Sequence, residues 1–203
     1  MIQPPERLPE RDAAVEAMMP NVPFDGWTIR SLRSGLTAAG LPEDEATILF
    51  PGGAADMIAV FCDLADRRMT EAAASLTETG LADRVRAIIA LRLSMNRPHK
   101  EAIRRALAVL ALPGNARTAA AITARTVDAI WHAAGDRSVD FTWYTKRALL
   151  TAVYGATVLF WLHDTSDDDA DTRAFISRRL HGVGRLLRAR GRASSLLGKL
   201  RPA

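Results

Sequence analysis

Residues 42–76 read PEDEATILFPGGAADMIAVFCDLADRRMTEAAASL, and two changes of pattern within this stretch set the architecture. Pro42 suits a first helical turn, and Glu43, Asp44 and Glu45 stand at the positive end of a short helix. Phe50-Pro51-Gly52-Gly53 then breaks that helix. A long helix follows from about Ala55 to Leu76, with Ile58, Phe61, Leu64 and Ala65 returning on one face at three- and four-residue spacing. No run of alternating β-branched residues occurs here or elsewhere, so the spacing predicts an all-helical chain.

Working outward, about nine helices are expected. Upstream, one runs from about Glu6 to Met19, and Asn21–Trp27 is read as a loop. Thr28 caps a second helix to about Ala39, closed by Gly40. Downstream, a helix over roughly Ala82–Met95 turns Val85, Ile88, Ile89 and Leu93 inward, and Pro98 opens another to about Leu112. After Pro113-Gly114-Asn115 come helices over about Ala116–Ala134 and Trp143–His163. A last one starts near Asp171 and fades near Gly191. The first three helices resemble a helix-turn-helix unit feeding a long connecting helix, and the whole resembles the TetR architecture. The expected boundaries are residues 1–53 for that module, 54–191 for a helical ligand-binding body, and 192–203 for a basic amphipathic tail.

Charge restricts what the module reads. The formal net charge is +4 over 203 residues, yet Arg173–Ala203 carries nine Lys or Arg and no Asp or Glu, leaving a body of net −5. Met1–Phe50 holds four basic and eight acidic residues. Three carboxylates open the helix that would read bases, and they repel phosphate, so no nucleic-acid partner is expected. Arg7 and Arg11 alternate with Glu6, Glu10 and Asp12, unlike a transit peptide. The longest apolar run, Ala148–Leu162, is short of the ~20 residues of a spanning helix. These features give the expectation of a cytoplasmic protein that touches a membrane from one side.

Nothing in the chain spells a reaction. His99, His132, His163 and His181 are scattered, with no pair at metal-ligand spacing, and there is no nucleophile elbow, phosphate loop or dinucleotide fingerprint. No catalytic residue, metal or cofactor is expected, and the protein is read as a non-enzyme. Cys62, the only cysteine, reads as a small buried hydrophobe. Asp128 and His132 lie one helical turn apart and are expected to hydrogen-bond, either as a structural contact or to orient an imidazole.

The densest chemistry is Thr126–Arg147, where Trp131, Phe141, Trp143 and Tyr144 crowd a helix–loop–helix corner among Arg, Lys and Asp. This is the composition of a protein-interface hot spot, and equally that of a packed bundle end. With it, Val22-Pro23-Phe24-Asp25-Gly26-Trp27, Leu49-Phe50-Pro51-Gly52-Gly53, Leu64-Ala65-Asp66-Arg67-Arg68-Met69, Val127-Asp128-Ala129-Ile130-Trp131-His132-Ala133-Ala134-Gly135-Asp136 and Asp140-Phe141-Thr142-Trp143-Tyr144-Thr145-Lys146-Arg147 occur in order. Together, from about Met18 to Leu180, they resemble the lipid-binding accessory family of ubiquinone (coenzyme Q) biosynthesis, ninth of the eukaryotic set, and its α-proteobacterial relatives, which implies a place on the inner face of a bacterial inner membrane.

That resemblance implies a TetR-like fold without DNA binding, holding an isoprenoid lipid or quinone precursor and presenting it to a di-iron demethoxyubiquinone hydroxylase. It implies a docking patch at Asp128, Asp140, Trp143 and Tyr144, with Trp131, His132, Lys146 and Arg147 nearby. Ala129 departs from relatives that repeat an aspartate there, which softens the charge. A second copy of the chain is a further expected partner.

Ala148–Leu162 is apolar on nearly every side and is expected to be buried all round. On it, Ala152, Gly155 and Ala156 leave room for a lipid, and Val153, Leu159 and Phe160 line it; an ordinary core helix reads the same way. Beyond it, Ile176, Leu180, Val183 and Leu187 form a stripe among arginines, which suits either an anionic membrane surface or a helix that packs its stripe in the core and turns only its arginines to water. Arg188, Arg190, Arg192, Leu196, Leu197, Lys199 and Leu200 are the expected membrane contacts. The rival reading is a TetR-type transcriptional regulator that senses a hydrophobic ligand in the same pocket.

Overall fold

Gly53 stands in the left-handed region at φ +62°, open to glycine at little cost, and from it the chain enters a 20-residue helix that the rest of the molecule packs around. The computed structural model describes residues 3–136 and 142–182, with side chains throughout except at Thr142 and Trp143. In order the helices are α1 (Pro9–Met18), α2 (Val22–Asp25), α3 (Ile29–Ala38), α4 (Ala46–Leu49), α5 (Gly53–Ala72), α6 (Leu81–Met95), α7 (Lys100–Leu110), α8 (Ala116–Ala133), α9 (Thr142–Trp161) and α10 (residues 170–182). No strand occurs among the described residues. α5 packs against α1, α6, α7 and α8.

Local chemistry explains the module. Thr28 caps α3, its Oγ1 accepting from the Ser31 amide at 3.1 Å. α3 crosses α1 so closely that a Cβ on Gly35 would lie 2.6 Å from the Ala17 carbonyl oxygen, which is why the position has no side chain. Three boundaries differ from expectation. α1 starts at Pro9, where proline's missing donor is harmless. The stretch read as a loop contains α2, opened by Pro23. The helix expected from Pro42 is a 3-10 turn over Glu43–Glu45 and then the single turn α4, the short 3-10 start common at helix ends.

Two apolar clusters hold the chain together. The first joins Val15, Met18, Leu32, Leu36 and Phe50 to Met57 and Ile58 of α5, with Trp27 donating its indole N–H to the Ala102 carbonyl at 2.8 Å. The second gathers Met69, Ile88, Ile89, Ile130, Leu150 and Trp161. Each fully buried large side chain is worth roughly 1.5–3 kcal/mol, so these clusters dominate stability. The inward positions expected on α6, namely Val85, Ile88, Ile89 and Leu93, are all buried.

α9 corrects the expectation of burial on every side. Leu150, Val153, Tyr154, Thr157 and Trp161 face inward, while Ala148, Thr151 and Ala152 are exposed and Leu159 is 58% exposed. The described neighbours of α9 are α6, α8 and the start of α10, where Phe160 stacks on Phe175 at 4.5 Å. An apolar composition buries only the faces that meet something. No single described helix is long and apolar enough to cross a membrane.

Candidate functional site

An open cleft of about 1210 Å³ lies along α5 and α8 and reaches the start of α9. Val127 and Ala129 of α8 and Ala148 and Thr151 of α9 give it apolar surface, while Thr70 and Asp66 of α5 lie opposite. Its rim is charged. Arg7 pairs with Asp63, which also accepts from Arg67 Nε at 3.0 Å, and Arg67 reaches Asp12 at 2.7 Å.

From Asp66 in the cleft wall a buried polar network runs inward. Asp66 accepts from Arg92 Nε and from Thr126 Oγ1, both at 2.8 Å, and the Arg92 guanidinium lies 5.7 Å from the Tyr154 ring centroid. Burial pushes the Asp66 carboxyl above its ordinary pKa, with Arg92 and Thr126 acting in the opposite direction. Burial also pushes the Cys62 thiol up to about 11 and the Tyr154 phenol up to about 12. Both shifts favour the protonated groups near neutral pH, and the hydrogen bonds of the network tie α5 to α6 and α8. Among the described residues no group of three His, Cys, Asp or Glu is arranged to hold a metal.

Asp128, His132 and Arg147 bring the cleft's lining to where α8 ends and α9 begins. Asp128 is taken by Arg147 of α9, and no hydrogen bond joins it to His132 among the described residues. This corrects the expected pairing within α8: a guanidinium across the groove offers a stronger, charge-assisted bond than an imidazole on the same helix. Lys146 spans the corner, 3.0 Å from Asp136 Oδ1 and 5.8 Å from the Trp131 ring centroid. Arg84 secures the end of α8 by donating to the Ala133 carbonyl at 3.1 Å, and its other nitrogen reaches the Leu76 and Glu78 carbonyls. Trp131 is half-buried, with an indole N–H that finds no acceptor among the described residues, and Tyr144 is 71% exposed.

The expected docking residues Asp128, Trp131, His132, Tyr144, Lys146 and Arg147 therefore gather where α8 ends and α9 begins, and three of them, Asp128, His132 and Arg147, line the cleft. Asp140 and the Trp143 side chain lie outside the described residues, as do Arg188, Arg190, Arg192, Leu196, Leu197, Lys199 and Leu200. None of Ala152, Val153, Gly155, Ala156, Leu159 and Phe160 lines the cleft; α9 contributes Ala148 and Thr151 instead. Sequence reasoning passed over Asp66 and Arg92. The signal was present, because each sits at an inward position of its helix, one step from Ala65 and from Leu93.

Residues 116–187 match the family model described as COQ9. The human mitochondrial ubiquinone biosynthesis protein COQ9 is 34% identical over 169 residues, covering 79% of this chain and 53% of that protein. The Drosophila melanogaster protein of the same name is 32% identical over 176 residues, covering 84% and 54%. The chain thus spans about half the length of the curated relatives it matches. In solved structures, a TetR transcriptional regulator from Nitrosomonas europaea shares the fold with a TM-score of 0.68 at 23% identity, covering 86% of this chain and 97% of that one. The expected compartment is overturned. The relatives are named as mitochondrial, not as proteins of a bacterial inner membrane. That expectation leaned on the resemblance and on the first residues of the chain, which decide no compartment.

Proposed function

The chain belongs to the COQ9 family, and from that premise we propose that it serves ubiquinone biosynthesis as a non-catalytic accessory protein. It holds an isoprenoid quinone-like lipid and presents it to a di-iron demethoxyubiquinone hydroxylase. One observation carries the reading: the large cleft is lined by Asp128, His132 and Arg147, which belong to the same ends of α8 and α9 as Trp131 and the exposed Tyr144. A hydrocarbon tail needs volume and apolar walls rather than a polar motif, since each buried CH₂ contributes roughly 0.8 kcal/mol. The cleft exceeds the ~300–1,000 Å³ of ordinary small-molecule sites. The tail lies along Val127, Ala129 and Ala148, and the head is offered at the corner to a partner whose surface supplies the reacting centre.

The TetR-type regulator remains the rival because the fold is shared. Charge weighs against it: Glu43, Asp44 and Glu45 are exposed where phosphates would pass.

Native mass spectrometry of the purified protein tests the ligand, with a co-purifying polyprenyl species as the expected result. Trp143→Lys is expected to abolish co-purification with the hydroxylase while leaving helix content unchanged. A protein that carries no lipid and takes none from quinone-loaded vesicles would refute the carrier reading. Undiminished co-purification of the Trp143 variant would refute the docking surface.

A further inference from the structure

The segment ahead of α1 is tied across the cleft without being packed into the body. Over residues 3–8 no side chain is buried and the backbone has no regular secondary structure. Two contacts fasten it, one to each wall. Arg7 makes a two-pronged pair with Asp63 of α5, Nε to Oδ2 at 2.9 Å and Nη2 to Oδ1 at 2.8 Å. Arg125 of α8 donates to the Gln3 carbonyl at 3.2 Å. Pro4 and Arg7 are themselves part of the cleft's lining, as are Asp63 and Arg125. Pro4-Pro5 stiffens the span between the two ties.

The fastening is built to let go. The Arg7 side chain is 52% exposed, so water and salt compete for it, whereas Asp63 is buried. Losing Arg7 does not strand that buried carboxylate, because Arg67 Nε stays on it at 3.0 Å. Just beyond, Arg11 is held firmly: it is buried, paired to Asp56 at 2.5 Å and seated 4.8 Å from the Phe50 ring centroid, and it donates to the Glu6 carbonyl at 3.3 Å. The anchored end acts as a hinge and the latched end as the moving part.

We propose that residues 3–8 form a strap, latched by Arg7 on Asp63, that closes this edge of the cleft and lifts to admit an amphipathic lipid. The identity of the cargo rests on the lipid-carrier reading; the latch itself does not.

Two readouts on the full chain separate the two. A nitroxide on Gln3→Cys reports the strap directly; Cys62 is partly buried, with its thiol pushed up to about 11, so the exposed new cysteine reacts first, with one label per chain as the check. Stopped-flow uptake of a pyrene-labelled farnesyl lipid from phosphatidylcholine vesicles reports entry. Arg7→Ala is expected to mobilise the nitroxide and to speed uptake about 2- to 5-fold at unchanged final occupancy, the scale of one exposed ion pair. Arg7→Lys, which keeps the charge and loses the second prong, falls between. Added NaCl moves the unaltered strap toward the Arg7→Ala behaviour and has little further effect on that variant. A nitroxide equally mobile with and without Arg7, or uptake rates that do not differ, overturns the latch. A probe that neither protein takes up overturns the lipid reading, and the nitroxide then decides the latch alone.

Discussion

Asp66 and Arg92 are a buried pair of charges, with Asp66 at the wall of the cleft and Arg92 behind it, and their energetics are asymmetric. Removing both charges removes the desolvation penalty together with the attraction; removing one leaves the other without a counter-ion. Thr126 donates to the second Asp66 oxygen and the Tyr154 ring covers the guanidinium, so the pair is fully engaged. Arg92→Ala is therefore expected to destabilise the protein by about 3–5 kcal/mol in urea denaturation. The double change Asp66→Leu, Arg92→Met is expected to leave stability roughly unchanged or improved. A single variant that unfolds at the parent's urea midpoint would show that water already screens the pair. Lipid uptake by the double variant then tells whether the network only supports the floor of the cleft or also contacts its contents.

At the scale of elements, the turn between α9 and α10 shows how local polar bonding positions a helix. Asp164 accepts from the Ser166 amide at 2.8 Å, the Ser166 hydroxyl at 2.6 Å, the Thr172 amide at 2.8 Å and the Thr172 hydroxyl at 2.5 Å. Asp169, at φ 53°, is held by Arg97 and Lys100 at 2.9 and 3.1 Å. Burial alone would raise the Asp164 pKa. The four bonds outweigh it and hold the carboxyl well below its usual range, and Asp169 is shifted the same way by Lys100 and Arg97. A depressed folded pKa means that this stabilisation is complete above the unfolded value of about 3.9 and is lost as pH falls through the folded value. The melting temperature is expected to decline below about pH 4, and Asp164→Asn to be less stable at pH 7 with a flatter acid limb. An identical acid limb in the variant would assign the loss to other carboxylates. Such turns and caps are legible in a sequence because they depend on neighbours along the chain: Thr28 before α3, and Gly53 at the head of α5. The faces of α9 were not legible. Leu159 and Trp161 are both apolar, and only the placement of α6, α8 and α10 decides that one is exposed and the other buried. The gathering of Trp131, Tyr144, Lys146 and Arg147 where α8 ends and α9 begins could be read because these residues stand close together in sequence. The cleft could not, since α5, α8 and the strap meet only in space.

The whole molecule separates charge along its length. The body up to Thr172 carries net −5, and Arg173–Ala203 carries nine basic residues without an acidic one. An acidic body is repelled by an anionic bilayer, so the basic end orients any approach, and a lipid carrier needs such an orientation to reach its cargo. Each basic residue near an anionic surface contributes about 1 kcal/mol, and the contribution falls within a Debye length. In this proposal Arg192, Leu196, Leu197, Lys199 and Leu200 belong to the membrane contact, with the leucines inserting and the cations holding the surface. Deleting residues 192–203 removes three of the nine cations and three leucines, at Arg192, Lys199, Arg201, Leu196, Leu197 and Leu200. Flotation with vesicles containing phosphatidylserine is expected to weaken at least tenfold on that deletion, roughly 1.4 kcal/mol, and the salt dependence of binding to become shallower. Binding to neutral phosphatidylcholine is expected to change less, and lipid occupancy in detergent solution to stay as it was. If the shortened protein floats as well as the full chain, the contact lies elsewhere on the body, and the stripe of Ile176 and Leu180 with its neighbouring Arg178 and Arg179 becomes the surface to change next.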